Sequence, residues 1–426
     1  MQIIKKLKDP LLLKFLLSVV IRALGAFSTI FLSIYLGRKL GVSESGLFFL
    51  TFTVITVLSA IARLGLDNTV LRFTGSSDTT PESSVKDDVL FKSVVLTICT
   101  STVISVILFL FSGQISNYIF NKTELTPLLS IMSASLISVS LITLVSMSLQ
   151  GDRKIISAVV FLNVSTNLLL IIFMSLFEAV SAVDTALLFL SSTYISLITG
   201  CIWWYKKAYS NSKSHVTWHV LLSSCLPLLV VVFMTQMIQF SGQLVSGVLL
   251  STAEIAQLSV AQRTAMLTSF ILMAVNLVVA PNFAMFFKNK EMAKLKNLAI
   301  KSVRIMIIVS TPLLLLMMVI PSQIMSIFGE GFSDGSLYLQ ILALGQFVNV
   351  MTGSVGYLLS MSGHEKDLRN MALIIGPFAI LLSLILIPLY GAIGSAIATA
   401  LAVGVQNLLG VYWVRKRLGF NTLKIW

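Results

Sequence analysis

Apolar runs of roughly twenty residues recur along almost the whole chain with few charges inside them, and nothing else constrains the fold as strongly. The runs are continuous and do not alternate with period two, which argues against the strands of a membrane barrel. A helix of that length crosses about 30 Å of hydrocarbon while satisfying its own backbone. Only 11% of the 426 residues are charged and 56% are hydrophobic. A soluble domain carries about a quarter charged residues, so lipid must solvate most of this surface. The pattern predicts an all-α membrane protein of about twelve transmembrane helices, at 10–36, 45–73, 88–112, 125–149, 155–177, 182–205, 219–249, 252–283, 296–320, 335–361, 368–389 and 391–414. The second and eighth are longer than hydrocarbon is thick, so part of each is expected to project into the cytoplasm. The first apolar stretch is too long for a signal-peptide core.

The net charge of +13 would suggest nucleic acid in a soluble protein. Here most of the excess lies in short loops, where it sets topology, and no nucleic-acid partner is implied. With the N-terminus inside, twenty Lys and Arg fall on the inner side and only Arg38, Lys39 and Lys122 on the outer side. That bias places both termini in the cytoplasm. The loop 74–88 dissents with Asp78, Glu82, Asp87 and Asp88, but acidic residues weigh little in the rule. Trp203, Trp204, Trp218 and Trp413 fall near the cytoplasmic boundary, as belt residues do. The outer loops are too short for an external domain, so the chain is expected to work inside the membrane.

The chain also repeats. Leu40-Gly41-Val42-Ser43-Glu44 opens the second helix and Leu250-Ser251-Thr252-Ala253-Glu254 the eighth, an offset of 210. Arg72-Phe73 meets Asn282-Phe283 at the same offset, and Gln114-Ile115 meets Gln323-Ile324 one residue short of it. Two six-helix bundles, 1–213 and 214–426, are expected as parallel repeats, with the substrate path in a central cavity.

Ionised groups at mid-bilayer are costly and usually face a cavity or a partner. Arg22 stands twelve residues past Pro10, about 18 Å along a helix. Arg263 lies nine residues beyond Glu254, about 14 Å. Arg63 lies deep in the second helix, and Asp67, the one acid inside the expected spans, follows it by four residues on the same face. Lys14, Arg72, Lys92 and Arg304 are nearer the interface and can snorkel. Arg22 and Arg263 have no acid to spare. Backbone or water could satisfy them, or they could line a cationic cavity for phosphate, which guanidinium grips bidentately.

The seventh helix carries Gln236, Gln239, Gln243 and Ser246 at spacings of 3, 4 and 3, one polar stripe on an apolar helix. Gln257, Gln262 and Asn276 follow on the eighth, Asn163 and Asn167 on the fifth, Gln346 and Asn349 on the tenth. Amides suit hydroxyl-rich ligands such as sugars, and they also bond helices together. The seventh-helix stripe favours cavity lining. Enzymatic chemistry has no support: His215, His219 and His364 fall in or beside cytoplasmic loops, no metal-ligand cluster or Walker loop is present, and no cofactor is implied. Cys99, Cys201 and Cys225 all fall in apolar segments and are expected to pack rather than pair.

Leu36-Gly37-Arg38-Lys39-Leu40-Gly41-Val42-Ser43-Glu44-Ser45-Gly46-Leu47-Phe48 resembles the first-loop signature of bacterial polysaccharide flippases. So does Arg63-Leu64-Gly65-Leu66-Asp67-Asn68-Thr69-Val70-Leu71-Arg72-Phe73. In the second half the resemblance continues through Ala280-Pro281, closing the eighth helix, Ile327-Phe328-Gly329 before the tenth, and Ile387-Pro388-Leu389-Tyr390-Gly391-Ala392-Ile393-Gly394-Ser395-Ala396 between the last two. It covers essentially the whole chain and is to the Wzx-type members of the multidrug/oligosaccharidyl-lipid/polysaccharide exporter superfamily. It implies flipping of undecaprenyl-pyrophosphate-linked oligosaccharide units, such as those of O-antigen, across the bacterial inner membrane by alternating access. Lipid II flippases of the superfamily carry cavity arginines on the first, second and eighth helices, where Arg22, Arg63 and Arg263 stand here. Many relatives have an acid in the seventh helix near Gly242-Gln243, and this chain has none. The implied partners are the lipid-linked glycan, the bilayer, and polysaccharide polymerase and chain-length proteins. The site expected from residues and resemblance together is Arg22, Arg63, Arg263, Asp67, Gln236, Gln239, Gln243 and Asn276. Three alternatives stay open: a lipid II-type flippase, which usually has two further helices; a cation-coupled multidrug exporter, which needs cavity carboxylates; and a membrane glycan polymerase or ligase, which generally carries a large external loop.

Overall fold

The computed structural model describes residues 10–75, 83–152, 154–208 and 217–424. Helices account for nearly all of them, and no strand occurs among the described residues. Ten helical segments are long and apolar enough to cross a membrane. Two of the continuous helices contain one non-helical glycine each: Gly41 (φ 74°, ψ 177°) within Pro10–Ala62 and Gly391 (φ 59°, ψ −138°) within Glu365–Leu418. Dividing these two helices at their glycines makes twelve spans. Both glycines have open space where a Cβ would stand, so backbone conformation rather than crowding selects the residue.

The chain forms two compact units, one of Leu24–Gln236 and one of Met237–Trp426 with the stretch ending at Ala23. The division thus falls inside the helix Trp218–Leu249, whereas the sequence reading divides at 213 and 214, in the loop before it. In the first of these units Leu66, Val70, Val89, Leu90, Leu144, Leu221 and Cys225 close one apolar core. In the other, Val279, Phe283, Val355, Leu358, Val411 and Val414 close another. The outward faces are apolar as well: Phe109, Ile308 and Leu384 are each more than half exposed, which only a hydrocarbon solvent accommodates over so much surface.

Several boundaries differ from expectation. The helix Leu267–Lys288 runs through Pro281 instead of closing there; the bond a proline removes is one among many in a long helix, and neighbours compensate. The second, eighth and tenth spans are each interrupted, at Arg63–Gly65, at Met266 and at Gly353. Of the cysteines, Cys225 packs as expected, but Cys99 and Cys201 are exposed. Trp203 and Trp218 are exposed, with Lys92 Nζ 5.8 Å from the Trp218 ring, while Trp204 lies outside the described side chains.

At the foot of the last span, Arg415, Lys416 and Arg417 occupy the final helical turn and Gly419 caps it in left-handed conformation. Cations there oppose the negative helix end. Arg417 donates to both oxygens of Asp367, from Nε at 2.7 Å and Nη2 at 3.0 Å. The Trp413 ring lies beneath Lys416 and Arg417 at 4.9 and 5.4 Å. This clasp ties the cytoplasm-expected ends of the eleventh and twelfth spans together.

Candidate functional site

The second span is helical to Ala62 and restarts at Leu66. Between them Leu64 (φ 51°) and Gly65 (φ 79°) both take left-handed backbone. Leucine in that region costs on the order of 1 kcal/mol. Gly65 is required twice over, by φ and by contact: a Cβ would meet Leu228 Cβ at 2.8 Å and the Cys225 carbonyl oxygen at 2.9 Å, on the seventh helix. Neighbouring helices satisfy carbonyls at the break. Thr100 Oγ1 donates to the Ala62 carbonyl at 2.6 Å, and Ser140 Oγ reaches the Ser59 carbonyl at 3.5 Å. Thr100 stands midway along the apolar span Asp88–Leu110, so the break lies beside the middle of that span.

A broken helix presents two ends of opposite polarity. Arg63 lies at the negative end of the upper piece and Asp67 in the first turn of the lower piece. Arg63 Nε donates to Asp67 Oδ2 at 2.9 Å and lies 2.8 Å from Oδ1, while Nη1 donates to Ser59 Oγ at 3.1 Å. Their side chains are 10% and 14% exposed, so this is a buried pair, bound to each other and to the helix dipoles.

The eighth span starts from a capping box. Ser251 Oγ accepts from Glu254 N, and Glu254 Oε2 accepts from Ser251 N at 3.0 Å. Its upper helix is Thr252–Ala265, with Arg263 in the last turn, again at a negative helix end. Beside it, Gln262 Nε2 donates to the Gln239 carbonyl of the seventh helix at 3.0 Å. The Gln243 amide donates to Ser259 Oγ, and Gln257 Nε2 to the Gly331 carbonyl at 2.6 Å. Below the break, Ser269 Oγ donates to Gln346 Oε1 at 2.5 Å and accepts from Asn349 Nδ2 at 3.2 Å.

The expected site residues are therefore distributed as follows. Arg63 and Asp67 meet in one unit. Gln239, Gln243, Arg263 and Asn276 lie in the other, where the Gln239 backbone and the Gln243 side chain tie the seventh helix to the eighth. Asn276 is buried, and its Oδ1 has no hydrogen-bond partner. Gln236 is partly buried at the edge of the first unit. The Arg22 side chain lies outside the described residues. Asn163 and Asn167 join the first span: the Asn163 carbonyl, in the π turn Val160–Val164, accepts from Ser28 Oγ at 3.2 Å, and Asn167 Nδ2 reaches Thr29 Oγ1 at 3.3 Å. Residues the sequence reading missed are hydroxyls, Ser59, Thr100, Ser140 and Ser269; mid-span Ser and Thr were the available signal. Among the described residues, no three His, Cys, Asp or Glu converge as metal ligands do.

The fold is shared with solved transporters. An inward-facing multidrug resistance MATE family transporter of the MOP superfamily superposes with a TM-score of 0.72 at 17% identity, over 94% of this chain and 98% of that one. Lipid II flippase MurJ in an inward closed conformation gives 0.73 at 18% identity, over 94% and 87%. A MOP superfamily transporter from Pyrococcus furiosus, described as having a binding pocket of reverse polarity, gives 0.66 at 16%, over 96% and 94%. No curated protein matches the sequence. Residues 35–335 match the family described as polysaccharide biosynthesis protein, and with that match spanning well over half its length, the chain belongs to that family.

Proposed function

We propose that the protein is a flippase that moves polyprenyl-pyrophosphate-linked oligosaccharide units of a surface polysaccharide from the cytoplasmic to the outer leaflet of a bacterial inner membrane by alternating access. The observation that carries this reading is the placing of Arg63 and Arg263, each at the negative end of an interrupted helix, in the second and eighth spans. Guanidinium stays charged at any relevant pH and matches phosphate oxygens in pairs. Broken membrane helices are where transporters hold charged groups. Arg22 is assigned to the same task on the resemblance of the first helix. The family match and the flippase fold support a lipid-linked glycan as cargo. Sugars would meet amides on the seventh, eighth and tenth helices, Gln236 and Asn276 among them. Outward movement of an anion from a negative interior gains about 2.3 kcal/mol per charge per 100 mV when the charge crosses uncompensated.

Reconstituted vesicles with a fluorescent polyprenyl-pyrophosphate glycan test this. Arg263→Ala and Arg22→Ala should each lower the flipping rate at least tenfold, a loss of about 1.4 kcal/mol or more in barrier lowering. Normal flipping by both folded variants would end the anion-site reading.

A further inference from the structure

Topology fixes the side of the membrane on which cations stand, but not their company. In the unit Leu24–Gln236, Lys92 pairs with Asp88 at 2.8 Å and Lys154 with Asp152 at 3.3 Å. At the feet of the eleventh and twelfth spans the balance differs. The buried acid there, Asp367, is taken by Arg417 through both its oxygens. Among the described residues, Lys366, Arg369, Arg415 and Lys416 are exposed and make no ion pair.

Two of these cations end exposed stripes. On the twelfth span Leu401, Leu408, Tyr412 and Lys416 are exposed at spacings of 7, 4 and 4, which is one face of a helix. On the eleventh, Leu381, Ile374, Asn370 and Lys366 are exposed at the same spacings, running the other way. The apolar members of both stripes are suited to acyl chains. Lys366 adjoins Asp367 in the chain and Lys416 adjoins Arg417, so the clasp sets the two feet side by side. The Lys416 ammonium is also held in place. Its Nζ lies 4.9 Å from the Trp413 ring centroid and 5.9 Å from that of Tyr412, and the two rings meet edge to face at 5.8 Å. Aromatic faces attract a cation but give it no acceptor oxygen, so the ammonium keeps hydrogen-bonding capacity to spare.

We propose that Lys366 and Lys416, with Arg415 and the Tyr412 and Trp413 rings beside them, hold the phosphate headgroup of an anionic phospholipid from the leaflet at this end. Its acyl chains lie along the two stripes, on Ile374 and Leu381 of one helix and on Leu408 and Leu401 of the other. Phosphate supplies the acceptor oxygens and the negative charge that the cluster lacks. Two apolar stripes that end at one cationic foot suit a lipid with two chains, not the single polyprenyl tail of the proposed cargo. Free phosphate would leave the stripes without a role. The headgroup uses other cations than Arg417, so the clasp with Asp367 stays intact beneath it. The inference is independent of what the protein moves.

Trp413 can report on this site directly. The full-length protein with Trp203, Trp204, Trp218 and Trp426 replaced by Phe keeps it as the one tryptophan. Reconstituted in phosphatidylcholine, this variant should be quenched by brominated-chain phosphatidylglycerol at a mole fraction about tenfold or more below that needed with brominated-chain phosphatidylcholine. Lys416→Gln and Lys366→Gln should each cut that preference about fivefold. Lys122→Gln removes the same charge on the side expected to be opposite and should leave the preference unchanged. Equal quenching by the two lipids, a preference kept in the Lys366→Gln, Lys416→Gln double variant, or a preference lost as much in Lys122→Gln would each overturn the proposal. So would relief of quenching by inorganic phosphate, or displacement of phosphatidylglycerol by a small fraction of polyprenyl pyrophosphate. Should the four-Phe variant fail to fold, native mass spectrometry decides the same question on the unaltered chain. There phosphatidylglycerol should be retained over phosphatidylcholine, and the double variant should lose that difference.

Discussion

The second and eighth spans hold the same place in the two halves of the repeat, and each carries an arginine at an interruption, yet they are interrupted differently. In the second, two left-handed residues break the backbone, and the cation is locked to an acid four residues on. In the eighth, the break is a single turn at Met266 with helical dihedrals, and the helix offers no carboxylate between Glu254 and Glu291. The arginines also sit at different depths: Arg63 is twenty-two residues past Gly41, Arg263 twelve past Ser251. The caps diverge too. Glu254 caps its own helix, whereas Glu44 accepts from Ala182 N at 2.8 Å and caps the sixth. One arm is thus held by a buried ion pair, and in the other neutral amides tie the seventh helix to the eighth near its arginine.

Four single substitutions and one double replacement would break or sharpen that contrast. The largest effect is expected at the ion pair. Asp67→Ala leaves a buried guanidinium uncompensated and should cost about 3–5 kcal/mol, while replacing Arg63 and Asp67 together by leucine should recover most of that loss. Unfolding midpoints of the single and double variants in detergent decide it; equal losses would show that the pair is not the element holding this arm. Next is Gly65→Ala, where positive φ and the close Leu228 and Cys225 backbone act together, for about 2–3 kcal/mol. Gly41→Ala, with open space for a Cβ but a backbone (φ 74°, ψ 177°) that essentially only glycine adopts, should cost about 1–3 kcal/mol through backbone strain alone. The smallest is Ser251→Ala at the cap of the eighth span, about 1 kcal/mol, read as faster amide exchange in the turn after Thr252.

The spans were legible because hydropathy is a local property, and the pairing of Arg63 with Asp67 because four residues is one helical turn. The break between them was not. Leucine is a good helix former, and nothing adjacent to Leu64 marks it for left-handed backbone. The close contact that leaves no room for a Cβ at the neighbouring Gly65 comes from Cys225 and Leu228, 160 and 163 residues away. The amides show the same limit. Their spacing revealed a stripe on the seventh helix, but that Gln243 would spend its amide on Ser259 depends on how two helices turn toward each other. Asn163 looked like its neighbours in composition, yet it is its backbone carbonyl, in the π turn, that accepts from both Ser28 Oγ and Asn167 Nδ2.

The glycine joints at Gly41 and Gly391 have a practical consequence for mapping the molecule. Each is a kink at which two separate helices meet with no residues between them, so neither joint offers a loop on the face opposite the termini. The joint at Leu250-Ser251 is nearly as short. A tag or labelling site placed on that face has three roomier places among the described residues, around Asn121–Glu124, around Phe177–Ser181 and around Gly329–Gly331, and insertion at a glycine joint would disturb the kink itself.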